Sequence, residues 1–420
     1  MTKIIIDNVG SIKNIELHLN KINIIMGPQS SGKSTIAKII SYCQWVEKRF
    51  LIDGEYKYKI EDQLLEFHRL SYTYFSKNSF VKYESEFLTI EIYISNKNKL
   101  IENVTSKNKH IQYKKTKNIY IPAERNFVSV IPNLGKYKET NDNIMSFLYD
   151  WYSTKKKYTK DKNLSILNLG VDFYHVEETD SDILILRNSK QELSLRNGSS
   201  GLQSVIPLTM IVDYLTNGFY EEPQSKSYDE TDSLKQFITK EFLDEFIKSD
   251  ILNKSIINKS KVKHSAKFSV KAFIEFIEKR ATYNHTNFII EEPEQNLFPE
   301  TQRDLIYYIF NKINNSDRDH NLIITTHSPY ILYAVNNCLM GYNISKNMPL
   351  NEQIELLSYN AWINPESVSI HQIQKGELIS IKDNRTNTVT KHYFNEIVDE
   401  ILDEYYEMLN YFHYDDHKVK

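Results

Sequence analysis

Gly27-Pro28-Gln29-Ser30-Ser31-Gly32-Lys33-Ser34 is the stretch that decides the fold. It fits the pattern G-x-x-x-x-G-K-[ST], which carries weight only between a buried strand and a helix. Both flanks are present. The apolar run 22–26 precedes it, and Ile36, Ile39, Ile40 and Cys43 behind it recur at i, i+3, i+4 and i+7. The expectation is a strand over 22–26, a Gly-rich turn, and a helix from about 33 to 50 with Cys43 on its buried face. Glycines let the backbone curl so that successive N–H groups converge on phosphate oxygens, and the helix N-terminus adds partial positive charge. Gly27, Gln29, Ser30, Ser31, Gly32, Lys33, Ser34 and Thr35 are the candidate nucleotide-binding residues. Lys33 is placed to reach the β- and γ-phosphates of ATP, and the Ser34 hydroxyl to ligate Mg²⁺.

A second apolar run, 287–290, ends in Glu291-Glu292-Pro293-Glu294. Successive side chains of a strand point to opposite faces, so two adjacent carboxylates can do different work. Glu291 is the candidate metal ligand with Ser34, and Glu292 the candidate base for an attacking water. A third run, 322–324, leads into Thr325-Thr326-His327-Ser328-Pro329. A polar switch at a strand's C-terminal end lies where open α/β sheets bind ligands. His327 is therefore a candidate partner of the γ-phosphate. A hairpin pattern over 183–186 and 192–195 leads into Ser199-Ser200-Gly201-Leu202-Gln203 and an apolar helix. Alone this is only a capped helix start. Beside the other three motifs, Ser200, Gly201 and Gln203 become candidates for a second anion-binding turn.

The four motifs in this order resemble the nucleotide-binding head of ABC-type ATPases, and among them the SMC/RecF/OLD-like branch. Val9-Gly10-Ser11-Ile12-Lys13-Asn14 and Glu291-Glu292-Pro293-Glu294-Gln295-Asn296-Leu297-Phe298-Pro299 are similar to that branch. Leu202 stands where a second glycine is commoner in the signature loop, and Glu291 where Asp is more usual. The resemblance implies an α/β P-loop fold of ABC head type, ATP and Mg²⁺ as cofactors, and a homodimer in which Ser200 and Gly201 of one copy close over ATP held by the other. It also implies a likeness to stand-alone ATPase subunits of anti-phage defence systems (PARIS-like or Septu-like), with a separate effector such as a Toprim-like nuclease. A RecF-like or SMC-like DNA-repair role is the alternative. Asp-x-Asp occurs at 180–182 and 317–319 but nowhere after His327, so a built-in Toprim nuclease is not expected. Ile121-Pro122-Ala123-Glu124-Arg125 stands near the expected Q-loop, whose glutamine has no clear place. Arg125 reads equally as a phosphate or coupling residue and as half of an Arg–carboxylate pair.

Composition agrees with a folded ATPase in a reducing compartment, the cytoplasm. The chain has 420 residues, a formal net charge of −3, 40% hydrophobic residues and 2 cysteines. This excludes disordered, collagen-like and disulfide-scaffold classes. Neither a secretion leader nor a membrane span of 18 or more apolar residues is expected. The head is assigned to 1–50, 119–217 and 281–345, with a β-rich mixed lobe inserted at 51–118, a helical insertion at 218–280, and a hairpin and acidic helix in 346–420. Lysines cluster at 107–117 beside Tyr113, at 155–160 and at 254–271. Nucleic acid is one ligand they suit, solvated faces the simpler reading. His413 and His417 are four apart, but no metal site is expected of them.

Overall fold

The computed structural model describes residues 2–54, 56–107, 113–131, 142–221 and 282–412. The chain opens with a hairpin of β1 (Thr2–Val9) and β2 (Ile12–Leu19), followed by the fully buried β3 (Ile22–Met26). Helix α1 (Lys33–Asp53) follows the Gly-rich loop and ends on Gly54, which takes the left-handed conformation of a C-cap. Next come β4 (Phe75–Glu84), β5 (Leu88–Ile94), β6 (Leu100–Ser106), β7 (Thr116–Ile121) and α2 (Asn143–Lys155). Four short strands, β8 (Leu164–Ile166), β9 (Val171–Val176), β10 (Ser181–Leu186) and β11 (Gln191–Ser194), lead into α3 (Ser200–Asp213). After the insertion come β12 (His285–Glu291), α4 (Pro299–Asn314), β13 (Asn321–Thr326) and α5 (Pro329–Ile344). The hairpin β14 (Val368–Gln374) and β15 (Glu377–Ser380) precedes α6 (Tyr393–Leu409).

Eleven strands form one sheet in the order β6-β5-β4-β1-β2-β15-β14-β3-β13-β12-β7, and β11-β10-β9-β8 form a second. The run β14-β3-β13-β12-β7 is parallel throughout. This is a mixed α/β fold of the P-loop NTPase kind. Parallel strands buried on both faces read as apolar runs; β3 does so apart from Asn23, and β12 over Phe288, Ile289 and Ile290. The two faces carry separate cores. On one, Ile36, Ile39, Ile40 and Cys43 of α1 are fully buried among residues of β1, β2, β4 and β5. On the other, α3, α4 and α5 pack with the smaller sheet. Each fully buried isoleucine stabilises the fold by about 1.5–3 kcal/mol.

The expected strands at 22–26, 183–186, 287–290 and 322–324 and the helix at 33–50 are present, with ends displaced by a few residues. β2 was not foreseen, although Ile12, Ile15 and Leu17 face inward between polar residues. Strands β4–β6 extend the main sheet from β1, and β14 lies against β3, the strand that carries the Gly-rich loop. Most of the expected helical insertion at 218–280 lies outside the described residues, as do the third lysine cluster and His413 and His417. Among the described residues no helix is long and apolar enough to cross a membrane.

Candidate functional site

β3, β13 and β12 are neighbours, so the loops after their C-terminal ends converge. The loop after β3 turns through Ser30 at φ +58° and Gly32 at φ +104°. A Cβ on Gly32 would lie 2.8 Å from Ile12 Cγ1, so this position needs glycine. No side chain caps α1, which leaves its first N–H groups, those of Lys33, Ser34 and Thr35 among them, available to an anion. Lys33 is 4% exposed. Its Nζ donates to Gly27 O (2.9 Å) and Pro28 O (2.7 Å) and lies 3.2 Å from His327 Nδ1. Burial lowers its pKa to about 8, against the opposing pull of Glu292, Glu294 and Glu291.

The carboxylates part as expected, by a sharper device than strand alternation. β12 ends at Glu291, and Glu292 takes a left-handed backbone at φ +44°. Its N–H donates to Thr325 O (2.9 Å). Such a conformation in a non-glycine residue costs about 1–3 kcal/mol and persists only where the surroundings enforce it. Glu291 is 4% exposed, and burial raises its pKa against the pull of the Ser34 hydroxyl and Lys38. Its Oε1 is buried without a hydrogen-bond partner. Glu292 Oε1 lies 2.7 Å from His327 Nε2, and Gln295 Nε2 donates to its Oε2 at 3.0 Å. The hydrogen bond from His327 is the main cause that holds the Glu292 pKa below the ordinary carboxylate value, against partial burial. Lys33, Glu292 and His327 thus stand in one chain of contacts.

Three further residues, whose roles the sequence did not disclose, hold this group. Glu294 Oε1 accepts from Thr326 Oγ1 (2.9 Å) and from the His327 N–H (2.5 Å), fixing the turn that presents the imidazole. Gln295 orients Glu292. Arg125 is fully buried. It donates to Glu291 O (3.0 Å), Glu292 O (3.1 Å) and Pro293 O (3.0 Å), and through Nε to Ser204 O (3.1 Å) on α3. Neither reading of Arg125 as a phosphate contact nor as a carboxylate pair fits, since it has no exposed surface and its partners are backbone carbonyls. Its hydrogen bonds join the turn at Glu292 to the helix behind Ser200 and Gly201.

Ser199 caps α3, accepting from Leu202 N–H. A Cβ on Gly201 would lie 2.9 Å from Asn296 O, so glycine here lets α3 approach the turn after Glu292. Gln203 Nε2 donates to Arg196 O (2.8 Å). Among the described residues, no hydrogen bond joins Ser200, Gly201 or Gln203 to Lys33, Glu292 or His327. Described members of the first two lysine clusters are engaged. Lys115 lies over the Tyr283 ring, and Lys117, Lys155, Lys156 and Lys160 pair with Asp150, Asp180, Glu177 and Glu192. Asp182, in one of the two Asp-x-Asp stretches, is half-buried and bonded to His175.

The residues fit a hard divalent cation. Among the described residues no cluster of three His, Cys, Asp or Glu side chains could cage a metal. A Mg²⁺ ion needs none, because it is bound through one or two protein oxygens, waters and substrate phosphates. The unpartnered Glu291 Oε1 beside the Ser34 hydroxyl supplies such oxygens.

No family model matches the chain, and no curated protein matches it. Solved structures do. The SMC head domain from Thermotoga maritima is 8% identical, with a TM-score of 0.38, over 91% of this chain and 98% of that one. The recombination mediator protein RecF solved with ATPrS is 12% identical, at 0.31, over 90% and 97%. An ATP-binding cassette bound to ADP and Pi is 11% identical, at 0.29, over 90% and 96%. At such values the assignment of the fold rests on this chain's own sheet and loop geometry.

Proposed function

We propose that this chain is a Mg²⁺-dependent, ATP-hydrolysing ATPase of ABC type, acting in the cytoplasm as an ATP-bridged homodimer. The observation that carries the reading is the Lys33–His327–Glu292 chain of contacts at the meeting of three parallel strands. Lys33 and the N–H groups of Gly27 and of Gln29 to Thr35 hold the triphosphate. Ser34 and Glu291 hold Mg²⁺, which when bound offsets charge on the phosphates. Glu292, kept ionised by His327, takes the proton of the attacking water, and Gln295 and Glu294 fix the orientation. In keeping with the sequence resemblance, the ATPase controls a separate effector, such as a nuclease, in anti-phage defence.

Complementation tests the shared site. Ser200→Arg is expected to bind ATP as wild type but to turn it over poorly, and Lys33→Ala to bind weakly. Mixed, they form heterodimers with one intact site in two. Half of the dimers are mixed at equal concentration, so about a quarter of wild-type turnover is expected to return. No recovery on mixing, with both variants folded, contradicts a site shared between copies.

Lys33 gives a pH prediction. A bound triphosphate favours its charged form, so binding raises a pKa of about 8. This contribution to affinity is complete below that value and fades as pH rises through it. Calorimetry in buffers of different ionisation enthalpy is expected to show proton uptake on ATP binding above about pH 8. Uptake that persists in Lys33→Met would assign it to another group.

A further inference from the structure

A cavity of about 540 Å³ lies at the N-terminal ends of the parallel strands, the end of the sheet opposite the phosphate loop. Asn23, Asn287 and Asn321 of β3, β12 and β13 line one side of it, and their amides are committed to one another and to the backbone. Asn321 Nδ2 donates to Asn287 Oδ1 (2.9 Å), Asn287 Nδ2 to Asn118 Oδ1 (2.9 Å) and Asn23 Nδ2 to Asn20 O (2.7 Å). The side made by α1 differs. Gln44 and Glu47 line the cavity from that helix, at i and i+3 and so on one face. Gln44 Oε1 and Glu47 Oε2 are buried without a hydrogen-bond partner. Both are acceptors, and a buried acceptor left unsatisfied is costly until something supplies a donor.

The walls select the ligand. Two acceptors without donors disfavour an anion. Tyr83, Phe87 and Tyr113 bring aromatic rings to the same cavity, with Phe87 and Tyr113 edge to face at 5.5 Å, and ring faces attract ammonium and guanidinium groups. Of the charged residues around it, Lys21 is paired with Asp319 at 2.8 Å, which leaves Glu47 and Glu86 against Lys114. His285 is neutral, its pKa lowered to about 4 by burial. A hard metal ion takes a larger set of oxygen ligands, and among the described residues no cluster of three His, Cys, Asp or Glu side chains supplies one. We propose that this cavity binds a small organic cation, an ammonium or guanidinium group on a short apolar body, with Glu47 as its counter-ion and Gln44 Oε1 as a second acceptor. The site shares α1 with the phosphate loop, roughly 15–20 Å along the helix from Lys33. The proposal goes beyond the ATPase reading and does not depend on it.

Titration calorimetry of the full chain tests it, with butylguanidinium and butylammonium chloride as ligands and butylurea as the uncharged counterpart. Both cations are expected to bind about ten-fold or more tightly than butylurea, because a charge-assisted pair outweighs a neutral one. Binding should also release a proton. Burial pushes the Glu47 carboxyl up to about 7, against hydrogen bonds from Ser85 and Tyr83 and with help from Glu86. A bound cation favours the charged form, so affinity is complete above that value and fades as pH falls through it. The neighbouring Cys43, Tyr83 and Tyr113 are pushed up by burial and His285 down, so they keep their charge state there. Glu47→Gln should remove both the preference for cations and the proton release, with its melting temperature as the check on folding. Gln44→Met should weaken cation binding a few-fold and leave the proton release in place. Four results overturn the proposal: equal binding of butylurea and the cations; cation binding undiminished in folded Glu47→Gln; displacement of the cations by equimolar potassium or magnesium chloride, so that an inorganic ion is the occupant; and no binding of either cation at millimolar concentration. ATP turnover is not the readout, so failure of the ATPase reading leaves this outcome intact.

Discussion

Glu292→Gln is expected to retain ATP binding within a few-fold and to lose about 10²- to 10⁴-fold in turnover, the usual worth of a positioned general base. The substitution keeps size and hydrogen bonding while removing basicity. Gln295 donates to Glu292 Oε2 at 3.0 Å, and the new side chain's oxygen can occupy that place. Its NH₂ then faces His327 Nε2, which becomes an acceptor when the imidazole proton moves to Nδ1. Gly27 O, 3.1 Å from Nδ1, is there to receive that proton. The amide then costs the contact from Lys33 Nζ to His327 Nδ1 (3.2 Å), so retained ATP binding is the control that assigns a loss of rate to proton transfer. If ATP bridges two copies, slow turnover leaves it in place, and a stable ATP-dependent dimer should appear by light scattering coupled to size exclusion. Steady-state turnover and a nucleotide-binding titration on one preparation decide the matter. Turnover near wild type would remove Glu292 from the role of base. Lost binding would mean that it holds nucleotide instead.

What the sequence disclosed divides along physical lines. The loop 27–34, α1 and the apolar strands were legible because their signals are local, a spacing or a run read within a few residues. The pairing of β14 with β3 was not, since parallel pairing of distant segments leaves no local trace. β2 is faint in the sequence because its inward Ile12 and Ile15 are separated by two exposed residues, which breaks the strand period before Leu17 restores it. In the site, Lys33, Ser34, Glu291, Glu292 and His327 were named from strand ends and motif order. Glu294 reads from the sequence only as part of a motif, although a third acid just past a proline is an available signal for a carboxylate that caps a neighbouring turn. Gly201 was read as part of a second phosphate turn. Its close approach to Asn296 O gives a packing reason for glycine that no pattern states. Arg125 stands out in the sequence, but its partners do not. Backbone carbonyls accompany every residue, so a side chain that bonds to them leaves no complementary residue type to search for.

Arg125→Lys is the sharper test of how the site is held. The guanidinium spans three consecutive carbonyls, those of Glu291, Glu292 and Pro293, and reaches Ser204 O from its other edge. A lysine keeps the charge but has one nitrogen, which cannot satisfy both sides at once. Burial already lowers the Arg125 pKa to about 10, against the pull of Glu294, Glu292 and Glu291, and a buried lysine is lowered more readily still. Each carbonyl left without a donor costs about 1–3 kcal/mol, and Glu292 at φ +44° loses the contacts that enforce its backbone. The expected result is a fall in kcat of about 10²-fold, the size that misplacement by an ångström can produce, with KM for ATP little changed because, among the described residues, no hydrogen bond joins Arg125 to Lys33 or the phosphate loop. Arg125→Ala removes the donors entirely and is expected to lower the melting temperature as well, so the lysine variant is the one to read. A variant merely less stable would recover its rate when assayed at lower temperature relative to wild type. A misplaced base would not. If Arg125→Lys turned over ATP at the wild-type rate while folded, the clamp would be structural only, and the link from the turn at Glu292 to the helix behind Ser200 and Gly201 would carry no catalytic information.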